Sequence, residues 1–132
     1  MKVKYRPNVF IIMSGFMILA LLSCSDKGVE PTGEPGPTVI SYIDDIQPIF
    51  NANCSGCHVG GNQGGLSLDS YSSLIQGGNS GDVVVFGDPD GSRLIQRLEG
   101  TVTPQMPLGQ TPLPSSQIQL IRDWIENGAE DN

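Results

Sequence analysis

Cysteine, histidine and methionine are scarce in this chain: its 132 residues hold 3 Cys, a single His and 4 Met. Three thiols cannot build an iron-sulfur site that needs four thiolates per cluster. Nor can all three pair as disulfides within the chain, so at least one has another fate. Positive charge is short too, with 7 Lys+Arg against 14 Asp+Glu and a net charge of −7. The few cations are scattered, which excludes the basic footprint that nucleic acid requires. Apolar residues make up 38% and aromatics 6%. A chain of this size forms one domain, and its core must be small or completed by something other than side chains. Glycine and proline, by contrast, are plentiful at 17 and 10.

The N-terminal segment reads as an address. Lys2, Lys4 and Arg6 precede an apolar stretch from Val9 to Leu22, broken only by Ser14 and Gly15 and too short for a membrane span. Residues 1–23 read as a signal peptide, the alternative being an uncleaved anchor helix. The run Leu21-Leu22-Ser23-Cys24 resembles the bacterial lipobox. That resemblance implies cleavage before Cys24 and acylation of Cys24, and more than one acyl chain anchors a protein stably on a membrane surface. Ser25 stands where an inner-membrane retention signal would place Asp, so the expected location is the outer membrane, facing the periplasm. Removal of the segment leaves Lys27, Arg93, Arg97 and Arg122 against all 14 acids, and Met106 as the last methionine. Residues 24–38 are rich in Gly and Pro without apolar periodicity, as expected of a flexible tether. The folded domain is expected over 39–132.

One motif carries the chemistry. Cys54, Cys57 and His58 form C-x-x-C-H, the pattern of c-type haem attachment. On a helical turn positions 54 and 58 share a face and 57 lies beside them, so two thiols reach one edge of a porphyrin while the imidazole projects toward the iron. Ser55 and Gly56 leave that edge uncrowded. Three other readings compete. A thioredoxin-type dithiol belongs in a strand-helix-strand context absent here. Zinc normally recruits a second Cys or His pair. A Cys54–Cys57 disulfide closes too short a loop to stabilise much. The export signal agrees with haem c, which is attached outside the cytoplasm.

With His58 on one side of the iron, the other axial position falls to Met106, to a weaker ligand such as Lys or Tyr, to water, or to nothing. Met106 is favoured. It lies in Thr103-Pro104-Gln105-Met106-Pro107-Leu108-Gly109, a loop whose prolines restrict the backbone, whereas a core-filling methionine usually sits in a periodic segment. Arg93 and Arg97 are candidates to pair with a haem propionate; the alternative is solvated helix surface.

The remaining pattern is helical. Asp44 or Asp45 is expected to cap a first helix with Pro48 in its first turn and Ile46, Ile49 and Phe50 inward. Leu66, Leu68, Tyr71, Leu74 and Ile75 suggest a short helix. Val83-Val84-Val85-Phe86 is expected as an extended packing segment. Asp90 or Ser92 caps a helix to about Glu99 with Leu94, Ile95 and Leu98 inward, and Ser115 or Ser116 caps a last one that Gly128 stops. Trp124 is expected where the first and last helices meet.

From Tyr42 to Ala129 the chain resembles the small class I cytochrome c domains of planctomycete type. The resemblance rests on Pro48-Ile49-Phe50, Cys54-Ser55-Gly56-Cys57-His58, Gly64-Gly65-Leu66-Ser67-Leu68, Gly91-Ser92-Arg93-Leu94, Met106-Pro107 and Trp124-Ile125-Glu126-Asn127-Gly128-Ala129. It implies an all-α fold of three to five short helices around haem c, with Cys54 and Cys57 as thioether attachments, His58 as proximal and Met106 as distal iron ligand. Such ligation leaves no open site and suits electron transfer rather than catalysis. The acidic surface suits a transient, salt-sensitive encounter with a basic patch on a redox partner. The alternative is five-coordinate iron that binds peroxide or small gases, although no second His remains for acid-base work. Haem would also complete the small core, so the haem-free chain is expected to be largely unfolded.

Overall fold

The chain enters its fold at Ser41. In the computed structural model, which describes residues 39–132, the Ser41 hydroxyl accepts from the Asp44 N–H and the Ser41 N–H donates to the Asp45 carboxylate. This reciprocal exchange satisfies donors that a helix start leaves free. The cap is therefore Ser41, and the expectation of Asp44 or Asp45 as cap is corrected: both lie inside the first turn. That turn, Tyr42–Ile46, is π-helical and runs directly into α1, Gln47–Asn53, with Pro48 in its first turn. Proline is tolerated there because its missing N–H has no partner to lose. Tyr42, Ile46, Ile49 and Phe50 all turn inward and are buried.

A 3₁₀ turn at Gln63–Gly65 and an extended stretch lead into α2, Tyr71–Gln76, capped by Ser70. The helix suggested from Leu66 onward thus begins only at Tyr71. Leu66 and Leu68 reach the core from extended backbone, because residues at i and i+2 share a face there. Val83–Phe86 belongs to no helix or strand: the chain bends at Val83 and turns at Phe86 instead of running extended throughout, because the Asp88 N–H closes a turn on the Val85 carbonyl; Val83 and Val84 are buried while Val85 and Phe86 face outward. Buried Ser92 pins this segment, accepting from the Val85 N–H and donating to the Asp88 carbonyl.

Helix α3, Arg93–Glu99, begins after Ser92 and buries Leu94, Ile95 and Leu98. Helix α4, Ser115–Glu126, follows Pro114 and has no side-chain cap. Ser115 and Ser116 therefore do not cap it as expected; they are its first residues. Its buried face, Ile121, Trp124 and Ile125, packs on α3 and on the Tyr42–Ile46 turn. Trp124 stands at that junction, its ring 5.4 Å from Tyr42 and 6.4 Å from Tyr71, with its indole N–H on the Glu130 carbonyl. After α4, Gly128 takes φ +100° and its N–H returns to Ile125, a left-handed stop.

The fold is all-α: four helices and, among the described residues, no strand. No helix among these residues is long and apolar enough to cross a membrane. The signal peptide, Cys24 and the 24–38 tether lie outside the described residues.

Candidate cofactor site

Helix α1 ends at Asn53, and Cys54 is its C-cap. The chain then makes a helix-like turn, with the His58 N–H on the Cys54 carbonyl at 3.0 Å and the Val59 N–H on the same atom at 3.1 Å. Gly56 holds φ +82° inside this turn, a conformation that a side chain disfavours. Glycine is thus required here for backbone shape as well as for its small size.

The turn leaves both thiols unpaired, contrary to a local disulfide. Cys57 is exposed and Cys54 half-buried. Burial pushes the Cys54 thiol up to about 11, and neighbouring Cys57 adds to the rise. A dithiol exchange centre needs the opposite, a depressed pKa at its leading cysteine. The zinc reading fares no better: among the described residues no three His, Cys, Asp or Glu side chains converge to hold a metal.

His58 is fixed from the next segment. Its Nδ1 lies 3.1 Å from the Leu66 carbonyl, and its own carbonyl accepts from the Leu68 N–H at 2.7 Å. A carbonyl only accepts, so Nδ1 carries the proton and Nε2 keeps its lone pair free for a metal. The loop between is tied by Asp69, whose carboxylate accepts from the Gly60 N–H and the Ser67 hydroxyl. Those bonds hold its carboxyl below the usual carboxylate range.

The connection from α3 to α4 carries Met106, whose side chain packs part-buried against the core. Cys54, Cys57, His58 and Met106 all line one cavity of about 580 Å³. That volume lies within the range of cofactor clefts. Leu66, Leu68, Val83, Leu94 and Leu98 give it apolar walls, and Arg93 and Arg97 stand in its lining without any Asp or Glu. The six candidate site residues within 39–132, Cys54, Cys57, His58, Arg93, Arg97 and Met106, thus all line this cavity. Sequence reasoning missed the Leu66 carbonyl that orients His58; a backbone carbonyl leaves no signature in composition or spacing. It also missed that the Arg97 guanidinium is bonded to the Pro104 carbonyl at 3.0 Å.

A family model described as planctomycete cytochrome C matches residues 54–107. Over these residues the chain is similar to that family. The matched stretch runs from Cys54, first residue of the C-x-x-C-H motif, to Pro107, next to Met106. No curated protein and no solved structure matches the chain significantly. That family implies covalently bound haem c with its iron, and the cavity fits such a group. It offers two free thiols at one edge, an imidazole with a free nitrogen, a thioether, and apolar walls.

Proposed function

We propose that this protein is a lipid-anchored monohaem c-type cytochrome that passes single electrons between redox partners outside the cytoplasm. In this reading Cys54 and Cys57 form the thioethers, His58 Nε2 is the proximal ligand, and Met106 Sδ the distal one. One observation carries it: the only histidine of the chain and its only methionine outside residues 1–23 line the same cavity as both motif cysteines. Haem iron held by imidazole and thioether supplies a one-electron couple with both axial positions filled. The Leu66 carbonyl keeps the imidazole in the required tautomer, and the apolar walls keep water from the group. Arg93 and Arg97 supply the positive charge that propionates would meet.

The anchor rests on sequence. Leu21-Leu22-Ser23-Cys24 marks Cys24 for acylation, residues 24–38 tether the domain, and Ser25 directs it to the outer membrane on the periplasmic side.

The ferric optical spectrum tests the ligation. A far-red sulfur-to-iron band is expected in the haem-loaded protein and is expected to vanish in Met106→Ala. If the unmodified protein lacks the band and its ferrous form binds carbon monoxide tightly, the iron is five-coordinate and the carrier reading fails. Metabolic labelling with a palmitate analogue, retained by wild type and lost in Cys24→Ala, tests the anchor.

A further inference from the structure

Met106 lies in a connection without regular structure, so something else must hold its side chain in place. The hold comes from the end of α3. The Met106 N–H donates to the Arg97 carbonyl at 2.8 Å, and Arg97 Nη1 donates to the Pro104 carbonyl at 3.0 Å. One residue therefore grips the loop at two points, one at Met106 and one two residues before it. Gln105 Nε2 adds a bond to the Leu98 carbonyl at 3.1 Å. Thr101 Oγ1 and the Val102 N–H both reach the Gln96 carbonyl at 3.2 Å. Carbonyls at a helix C-terminus have no partner inside the helix, and here the loop uses three of them.

Among these bonds only that of Arg97 has a charged donor, and charged donors make the stronger hydrogen bonds. Arg93 is the natural contrast. It lines the same cavity but is exposed, and its side chain makes no hydrogen bond among the described residues. We propose that Arg97 is a positioning residue for Met106: its guanidinium braces the Pro104 carbonyl and so fixes the loop that presents the thioether to the iron. This rests on Met106 as distal ligand. It also separates the two arginines, since Arg93 keeps its donors free for a propionate while Arg97 has one committed to the loop.

The experiment compares haem-loaded wild type with Arg97→Ala, Arg97→Lys and Arg93→Ala. Ferric protein is titrated with imidazole, which competes with the thioether, and amide hydrogen exchange is followed over residues 101–110. Loss of one charge-assisted bond is expected to tighten imidazole binding about tenfold in Arg97→Ala and to speed exchange at the Met106 amide by a similar factor. Arg97→Lys, a flexible point charge without the planar fork, is expected between the two. Arg93→Ala, which also removes a cation from the cavity lining but breaks no bond to the loop, is expected to leave exchange at the Met106 amide as in wild type. The proposal is overturned if Arg97→Ala matches wild type in both readouts. It is equally overturned if Arg93→Ala reproduces the faster exchange, because loss of positive charge beside the propionates would then suffice. Should the wild-type far-red band be absent, the ligand assignment fails separately and exchange alone decides: an unchanged Met106 amide in Arg97→Ala sinks the brace.

Discussion

Tyr42 offers a test of the core in which one substitution changes sign with pH. The residue is 2% exposed, and its hydroxyl donates to Gln47 Oε1 at 2.7 Å. Burial, with smaller contributions from Asp131 and Tyr71, pushes its phenol up to about 12, from about 10 in an unfolded chain. The fold thus favours the neutral form. The stability that this contributes is complete below about pH 10 and is lost as pH rises through about 12. Each unit of difference is worth about 1.4 kcal/mol, so about 1.4 kcal/mol has gone by about pH 11 and about 2 kcal/mol by about pH 11.5. Tyr42→Phe abolishes this loss. It also strands the Gln47 acceptor, which costs about 1 kcal/mol at neutral pH. The variant should therefore be less stable than wild type at neutral pH and more stable above about pH 11. Tyr71, whose phenol is raised by burial as well, is present in both proteins and largely cancels in the difference. Urea denaturation of the haem-loaded proteins, followed by far-ultraviolet circular dichroism across this pH range, measures both curves. A constant offset between them, with no crossing, would refute the reasoning.

Three further outcomes are expected. Gly77 has φ +72°, and a Cβ there would stand 2.5 Å from the Gly81 carbonyl oxygen, a backbone atom; Gly77→Ala should cost at least about 2 kcal/mol in urea denaturation. Arg122 pairs with Asp90 at 2.5 Å and Glu99 at 3.0 Å on the surface, so Arg122→Ala should cost less than about 1 kcal/mol, and the difference should fade in high salt. A Cys54→Ser, Cys57→Ser variant, unable to keep the group that fills the cavity, should be largely unfolded; a native-like helical circular dichroism spectrum would show that side chains alone complete the core.

The sequence carries the inward faces well and the helix ends poorly, for physical reasons. Leu94, Ile95 and Leu98, or Ile121 and Ile125, announce themselves because burial follows helical spacing whatever the neighbours do. A cap depends on which of several adjacent polar residues meets a free N–H. Between Ser41, Asp44 and Asp45 that choice turns on a π-helical turn that periodicity does not register. Ser115 and Ser116 are equally eligible on composition, yet Pro114 already sets the entry into α4 and neither serine caps it. Leu66 and Leu68 read as helix only because an apolar pair at i, i+2 is ambiguous in a short run. At the site, the spacing of the motif by itself groups Cys54, Cys57 and His58, and the proline-bounded loop singles out Met106. Neither the Leu66 carbonyl nor the Arg97 brace is legible in this way, since each depends on segments that meet only in the fold.

The charge distribution refines the proposed partner encounter. No acid lines the cavity, and two of the three arginines of residues 39–132 do, while the third, Arg122, is occupied by Asp90 and Glu99. The net negative charge therefore belongs to the rest of the surface, including Asp44, Asp45, Glu126, Glu130 and Asp131, all exposed. Exposed charges act over about a Debye length, near 10 Å at moderate salt. They can draw in and orient a basic partner without contributing carboxylates to the cavity mouth. Leu108, 67% exposed and part of the cavity lining, would meet that partner as an apolar contact. Attraction at a distance and an uncharged contact close in would give a fast, short-lived complex, as the proposed carrier, releasing each partner after one electron, would require.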